Sequence, residues 1–191
     1  MACTWPGTDI QYVAYHDTEW GVPEFDSRAL FEKLILDGFQ AGLSWITILR
    51  KRDNFRAAFD GFEPEIIAHY TEKDIQQCLN DAGIIRHRGK IEATIGNAQA
   101  FLNLRDAGQE FNDFCWRFVD GKPVMNTFQT TQEIPAQTDV SRNLSEALKQ
   151  AGFKFCGPVI VYAFMQAVGM VNDHLVECPQ YEKCKNLAEN L

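Results

Sequence analysis

The sequence predicts an all-α fold, and three observations carry that prediction. Apolar residues recur at three-to-four spacing through most of the 191 residues, strict alternation of the β kind never persists beyond a few positions, and helix start and stop signals bracket the periodic stretches. With 46% hydrophobic, 12% aromatic and 23% charged residues, the chain can bury one substantial core, which excludes a disordered tail protein. No run of about 18 apolar residues occurs, so no membrane partner is expected. The balance of 26 acids against 18 bases gives a net charge of −8. Taken globally, that acidity argues against a nucleic-acid partner, whose phosphates attract basic surface.

Leu30, Phe31, Leu34 and Ile35 form the first clear helical stripe, and Trp45, Ile48 and Leu49 repeat the spacing and continue to Phe55 and Phe59. Thr71-Glu72-Lys73-Asp74 has the form of a capping box opening a helix that carries Ile75, Cys78 and Leu79. Residues 88–105 set Ile91, Ile95, Ala98 and Leu102 on one face. Segments 112–118, 141–150 and 158–168 behave alike, whereas 120–139, with Pro123 and Pro135, predicts an ordered loop between lobes. The helix ending at Gln150 has Gly152 at its C-terminal cap, and Pro158 suits the first position of the apolar helix after it. The turn between them, Phe153-Lys154-Phe155-Cys156-Gly157, makes either a plain αα-hairpin or an anion site at the second helix's N-terminus, with Lys154 adding charge.

Charge is unevenly spread. Residues 1–37 carry a net −5 and 38–56 a net +3, the latter from Arg50-Lys51-Arg52 and Arg56. A second basic run, Arg86-His87-Arg88 with Lys90, contains Gly89 and precedes a helix, an arrangement in which backbone and side chain approach a phosphate together. Each cluster taken alone also fits a solvated helix face.

The start Met1-Ala2-Cys3-Thr4-Trp5-Pro6 lacks a basic n-region and an apolar h-region, so a cytosolic chain is expected. Six cysteines at irregular spacing in a chain of this size fit reduced thiols, with Cys78, Cys115 and Cys156 as small core residues. His174 and Cys178 stand at i, i+4, predicted to share one helix face, and Cys3 and His16 lie near the other end. Together they make the Cys₂His₂ set of a closed structural zinc site that would staple the termini. Cys184 is a rival ligand, and buried cysteine with surface histidine is the alternative. Trp5, Tyr12, Tyr15, Trp20 and Trp45 fall early in the sequence, the flat walls that a heterocycle pocket needs. Asp37 interrupts the apolar helix end Leu34-Ile35-Leu36-Asp37-Gly38. It is either a solvated polar terminus or, buried against aromatics, an acceptor for a base or a cation.

With these residues assembled, the sequence closely resembles the 3-methyladenine DNA glycosylase I family, the constitutive bacterial alkyl-purine glycosylases. The resemblance runs through Tyr15-His16-Asp17 to Glu19-Trp20-Gly21-Val22-Pro23, Gln40-Ala41-Gly42-Leu43-Ser44-Trp45-Ile46-Thr47, and Asp81-Ala82-Gly83-Ile84-Ile85-Arg86-His87-Arg88-Gly89-Lys90-Ile91. It continues from Gly152-Phe153-Lys154-Phe155 through Phe164-Met165-Gln166-Ala167 to Val171-Asn172-Asp173-His174, nearly the whole chain.

The resemblance implies a helix-hairpin-helix DNA glycosylase fold, one domain over 1–191 made of two helical lobes that share a central cleft. It implies one structural zinc ion on Cys3, His16, His174 and Cys178, joining the N- and C-terminal segments. It makes the hairpin Gly152–Gly157, with Lys154, the phosphate anchor, and adds Arg86, Arg88 and Lys90 as phosphate contacts. Gln40 and Leu43 become the wedge that fills the duplex where a nucleotide is extruded. Tyr12, Tyr15, Trp20 and Trp45 line the base pocket, with Trp45 stacking, and Asp37 is the catalytic acid. The partners implied are double-stranded DNA containing alkylated adenine and the free 3-methyladenine product, handled by a cytoplasmic monomer that joins the nucleoid when acting.

One departure stands out. The family has Glu at the position of Asp37, and Asp keeps the charge on a side chain one methylene shorter. A shifted helix end or a bridging water would restore the reach, and a retuned base preference is the other consequence. In related enzymes an Asp activates water near Val171-Asn172-Asp173-His174. By position Asn172 replaces it, and a helical run here would aim Asp173 elsewhere. Val159 follows the hairpin where lyase enzymes carry lysine, so a monofunctional glycosylase is implied. A different reading is a module that binds alkylated bases with weak or absent hydrolysis because of Asp37. A third is a zinc-stapled helical interaction protein.

Overall fold

The computed structural model describes residues 3–191, so Met1 and Ala2, part of the expectation about compartment, lie outside the described residues. Among these residues are eleven α-helices: α1 (Ile10–Thr18), α2 (Ser27–Gln40), α3 (Trp45–Leu49), α4 (Arg52–Ala58), α5 (Pro64–Ile67), α6 (Glu72–Asn80), α7 (Arg88–Asp106), α8 (Phe111–Trp116), α9 (Asp139–Gln150), α10 (Pro158–Ala167) and α11 (Pro179–Glu189). The only strands among them are β1 (Val124–Met125) and β2 (Val171–Asn172), paired in parallel with Val124 opposite Val171. The expected all-α class is what the chain forms.

The helix starts follow local chemistry. Asp26 accepts from the Ala29 amide and Asp9 from the Tyr12 amide, each satisfying a donor that the first helical turn leaves free. Thr71 and Asp74 close the expected capping box on α6, and Thr138 with Ser141 makes a second one on α9. Gly152 ends α9 at φ +100°, a conformation that a side chain would strain.

α2 is the hub, packed against α3, α7, α8 and α10. It buries Leu30, Phe31, Leu34, Ile35, Leu36 and Phe39, each stabilising the fold by roughly 1.5–3 kcal/mol. Phe39 extends the core into an aromatic run, with ring centroids 4.7 Å from Phe55 and 5.8 Å from Phe59. The C-terminal carbonyls of α2 at Phe39 and of the following Ala41 are taken by the Lys90 ammonium of α7, at 2.8 and 2.7 Å. That cation completes a helix end whose dipole and free carbonyls both favour positive charge.

One local expectation needs correction. Residues 174–178 are turns and not a helix. Pro179 opens α11, and the residue before a proline is pushed out of helical geometry, so Cys178 becomes the N-cap at φ −77°, ψ 131°. Segment 120–138 is ordered, as expected, and it also reaches the C-terminal region through β1–β2 and through the Val176 amide, which donates to Phe128 O at 3.0 Å.

Candidate active site and metal centre

A cavity of about 400 Å³ opens where the end of α2 meets α1, α3 and α10. Its aromatic walls are Trp5, Tyr12, Tyr15, Trp20 and Trp45, so the early aromatics converge in space. The opposite side is Tyr162, Gln166 and Val159 of α10, and Ile134, Pro135 and Ala136 of the ordered segment complete it. Gln40 lies on the rim, and Leu43, in the turn after α2, is 42% exposed.

The floor carries the charge. Asp37 is 2% exposed, with Oδ1 accepting from Lys33 Nζ at 2.5 Å on the same face of α2. The Lys33 ammonium also sits 3.7 Å from the centroid of the Trp45 ring. Two buried polar atoms here, Asp37 Oδ2 and Trp45 Nε1, have no hydrogen-bond partner among the described residues. Buried polar groups are nearly always paired, so an acceptor and a donor left free in one pocket mark a place for a polar ligand. Burial drives the Asp37 pKa up, against the pull of Lys33, and burial likewise lowers that of Lys33. Tyr15 is raised by burial and secondarily by the Asp37 charge.

Behind the pocket, Asp173 is buried and fully used. It accepts from Tyr162 Oη at 2.7 Å, Gln166 Nε2 at 2.8 Å and Asn126 Nδ2 at 2.6 Å. It therefore fixes two pocket residues and ties them to the segment after β1. Asn172 is buried as well, donating to Tyr181 O and accepting from the His174 amide.

Cys3 Sγ, His16, His174 and Cys178 Sγ present ligand atoms that all lie within 4.8 Å of one another, and all four residues are buried. Cys178 Sγ is 3.7 Å from His16 Nε2 and 3.8 Å from His174 Nδ1, and Cys3 Sγ is 3.9 Å from His174 Nδ1. Bond lengths of about 2.3 Å to sulfur and 2.0 Å to nitrogen give a tetrahedral S···N edge of roughly 3.5 Å, so the set fits a metal ion after small inward shifts. The other ring nitrogens are engaged: His16 Nδ1 lies 2.7 Å from Asp17 Oδ1, and His174 Nε2 lies 2.9 Å from Trp20 O. Such outer bonds orient imidazoles for a metal. Burial pushes the Cys3 thiol up to about 11 and holds His174 down to about 4, so the imidazole is neutral and ready to ligate. Cys184 is buried nearby but stands outside the group of four.

The expected phosphate contacts separate. Arg86 and Lys154 are exposed, and the Arg86–Lys90 run lies beside the hairpin: His87 and Phe155 rings are 6.4 Å apart, and the Asn97 amide of α7 bonds both N–H and C=O of Lys154. Gly157 caps α10 without any side-chain partner. Arg88 is held by Glu72 and Glu92. Lys90 is a correction. It is 8% exposed with its ammonium on the α2 carbonyls, which withdraws it from any phosphate contact. The 50–56 cluster is also largely neutralised, since Arg50 pairs with Asp9, Arg52 with Glu19 and Arg56 with Glu32. Sequence reasoning missed Lys33, Tyr162, Gln166 and the 134–136 wall. Only Lys33 left a signal, as a charged pair at i, i+4 with Asp37 on an apolar helix.

Comparison with known proteins bears on this geometry. The methyladenine glycosylase family profile matches residues 5–181. The chain is 54% identical over 179 residues to DNA-3-methyladenine glycosylase 1 of Escherichia coli (strain K12), covering 94% of this chain and 96% of that protein. A crystal structure of a 3-methyladenine DNA glycosylase I superposes with a TM-score of 0.92 at 52% identity, covering 94% of this chain and 98% of the other. A tyrosine-to-phenylalanine variant of such an enzyme, in complex with 3-methyladenine, superposes at 0.91 with 40% identity over 94% and 97% of the two chains.

Proposed function

The chain belongs to the methyladenine glycosylase family, and on that premise we infer that it is a DNA N-glycosylase that excises 3-methyladenine, the base being held in the aromatic pocket over Asp37. The observation that carries the reading is a free buried acceptor, Asp37 Oδ2, on an aromatic cavity. A purine bearing an exocyclic amino group supplies the donor that this oxygen lacks.

Methylation at N3 makes adenine cationic, so it is already a good leaving group and needs little general-acid help. Asp37 accepts from the amino edge of the base, Trp45 stacks on it, and Tyr12, Tyr15 and Trp20 wall the site. The bond from C1′ to N9 breaks, its electron pair going to N9, and water captures the sugar cation. Neither Asp173 nor Asn172 serves as the water's base in this reading, because both are bound up in internal hydrogen bonds. Exposed duplex DNA contacts fall to Lys154, Gly152 and Gly157 in the hairpin, with Arg86 beside it and Arg88 once freed from its glutamates. Gln40 and Leu43, at the pocket rim and in the exposed turn beyond it, fill the gap that the extruded nucleotide leaves. The single domain is read as two helical lobes with this cleft between them, acting as a monomer in the cytoplasm.

The Cys₂His₂ group is assigned to zinc, because two thiolates and two imidazoles in a closed buried set are the donor chemistry that Zn²⁺ prefers. The ion's contribution is structural, joining Cys3 and His16 of the N-terminal segment to the turns before α11. The group backs onto the pocket walls, with the His174 and Trp20 ring centroids 4.6 Å apart, and no step of the reaction uses it.

Val159 stands after the hairpin where a lyase would carry its lysine, so a monofunctional reaction is inferred. Borohydride is accordingly expected to trap no DNA adduct, and a trapped adduct would refute monofunctional chemistry. The function itself is tested by chromatography of bases released from methylated duplex DNA. Free 3-methyladenine is the expected product, and tight binding without any released base would leave a recognition module instead.

A further inference from the structure

Lys33 stands at the base pocket, and its role rests on the function proposed for that pocket. Its ammonium lies 2.5 Å from Asp37 Oδ1 and 3.7 Å from the Trp45 ring centroid. These are the anion and the aromatic face that a cationic purine would use. An ammonium at that distance fills the space in which a ring would stack, so base and ammonium compete for one position. Helix preference does not account for the pair, since a cation four residues before an anion is the less favourable order along the dipole. Lys33 also borders a second cavity of about 270 Å³, which shares Tyr15, Trp45 and Ala167 with the base pocket and carries Glu19, Glu24 and Glu32, with Arg52 paired to Glu19 and Arg56 to Glu32. It therefore stands in a partition, with Asp37 on one side and three further carboxylates against two arginines on the other.

We propose that Lys33 displaces the product: its ammonium yields Asp37 and Trp45 to the cationic base of the substrate, swings toward Glu19 and Glu32, and returns once cleavage has removed the base's charge. The charge accounting is simple. The methylated base carries +1 while bound to the sugar. When the C1′–N9 bond breaks, its electron pair goes to N9 and the base becomes neutral. The positive charge passes to the sugar, where water adds and releases a proton. A cationic base replaces the ammonium at Asp37 without leaving a buried carboxylate unpaired, and a neutral base does not. The same site thus accepts the charged substrate and expels the uncharged product.

Calorimetric titration of the full-length wild type, Lys33→Met and Lys33→Gln with free 3-methyladenine, in mildly alkaline buffer where the base is neutral, tests this. Methionine keeps the stem and removes the charge. Lys33→Met is expected to bind the product at least about tenfold more tightly than wild type, and Lys33→Gln to move in the same direction. Equal or weaker binding by both folded variants overturns the proposal. In the wild type, adding the base must shift the ¹⁵N resonance of the Lys33 ammonium, and an unmoved resonance overturns it without any variant. A wild type that neither releases nor binds 3-methyladenine refutes the base pocket itself. A wild type that does both, beside variants that bind no more tightly, refutes only the role of Lys33.

Discussion

A buried carboxylate with one oxygen paired and the other free is costly to the fold, and Asp37 is that group. Because desolvation raises its pKa, the anion exists only above a pH higher than that of an exposed aspartate. A cationic base is gripped by the anion and not by the neutral acid. Excision should therefore fall on acidification at a pH above the ordinary aspartate range, and Asp37→Asn should lack that limb; base release measured against pH checks both. Asp37 and Trp45 were legible in the sequence, one as a polar break in an apolar stripe and the other as part of an aromatic cluster. Lys33 left only its i, i+4 spacing to Asp37, because its place over the Trp45 ring is a contact between helices that no spacing along α2 reveals.

Helix ends set the precision of the site. The end of α2 carries Asp37 and Gln40, and the Lys90 ammonium holds its last carbonyls. Lys90→Met should leave those acceptors unmatched and cost about 1–3 kcal/mol, read as a lower midpoint in denaturant, with slower excision alongside. At the end of α10, Gly169 has φ +70°, and a β-carbon there would come within 2.5 Å of the Val22–Pro23 backbone. Gly169→Ala should cost about 1–3 kcal/mol or more by the same measurement. The starts of α6 and α10 were legible because each begins with local chemistry, a capping box and a proline, whereas the Thr138–Ser141 box that opens α9 two residues before the expected start went unread. The turns at 174–178 were misread as helix, although Cys178-Pro179 held the signal. The 134–136 wall was invisible, since its place depends on β1 pairing with β2 across more than forty residues of chain.

At the scale of the molecule, the net −8 takes on a different meaning. Most bases of the 50–56 cluster are spent on internal ion pairs, whereas Arg86 and Lys154 stay exposed beside the hairpin. Few phosphates can then be neutralised, so affinity for undamaged duplex should be modest, with a log–log salt slope no steeper than about −3 to −4. The Cys₂His₂ group acts at this scale too, setting Cys3 and His16 of the N-terminal segment against His174 and Cys178 before α11. Cys178→Ser should lose zinc by elemental analysis and melt about 5 °C or more lower; unchanged zinc content would contradict the assignment. The four ligands were legible as a donor set, but the geometry that makes them one site belongs to the folded chain.

Asp37 is the group proposed to hold the methylated base. The most direct measurement is the rate of 3-methyladenine release from methylated duplex DNA by Asp37→Asn beside wild type, with matched zinc content and circular dichroism to show an intact fold. Removing one charge-stabilising group from a buried site typically slows the reaction by roughly 10²–10³-fold, and a loss of that size is the predicted result. An undiminished rate in the folded variant would contradict it.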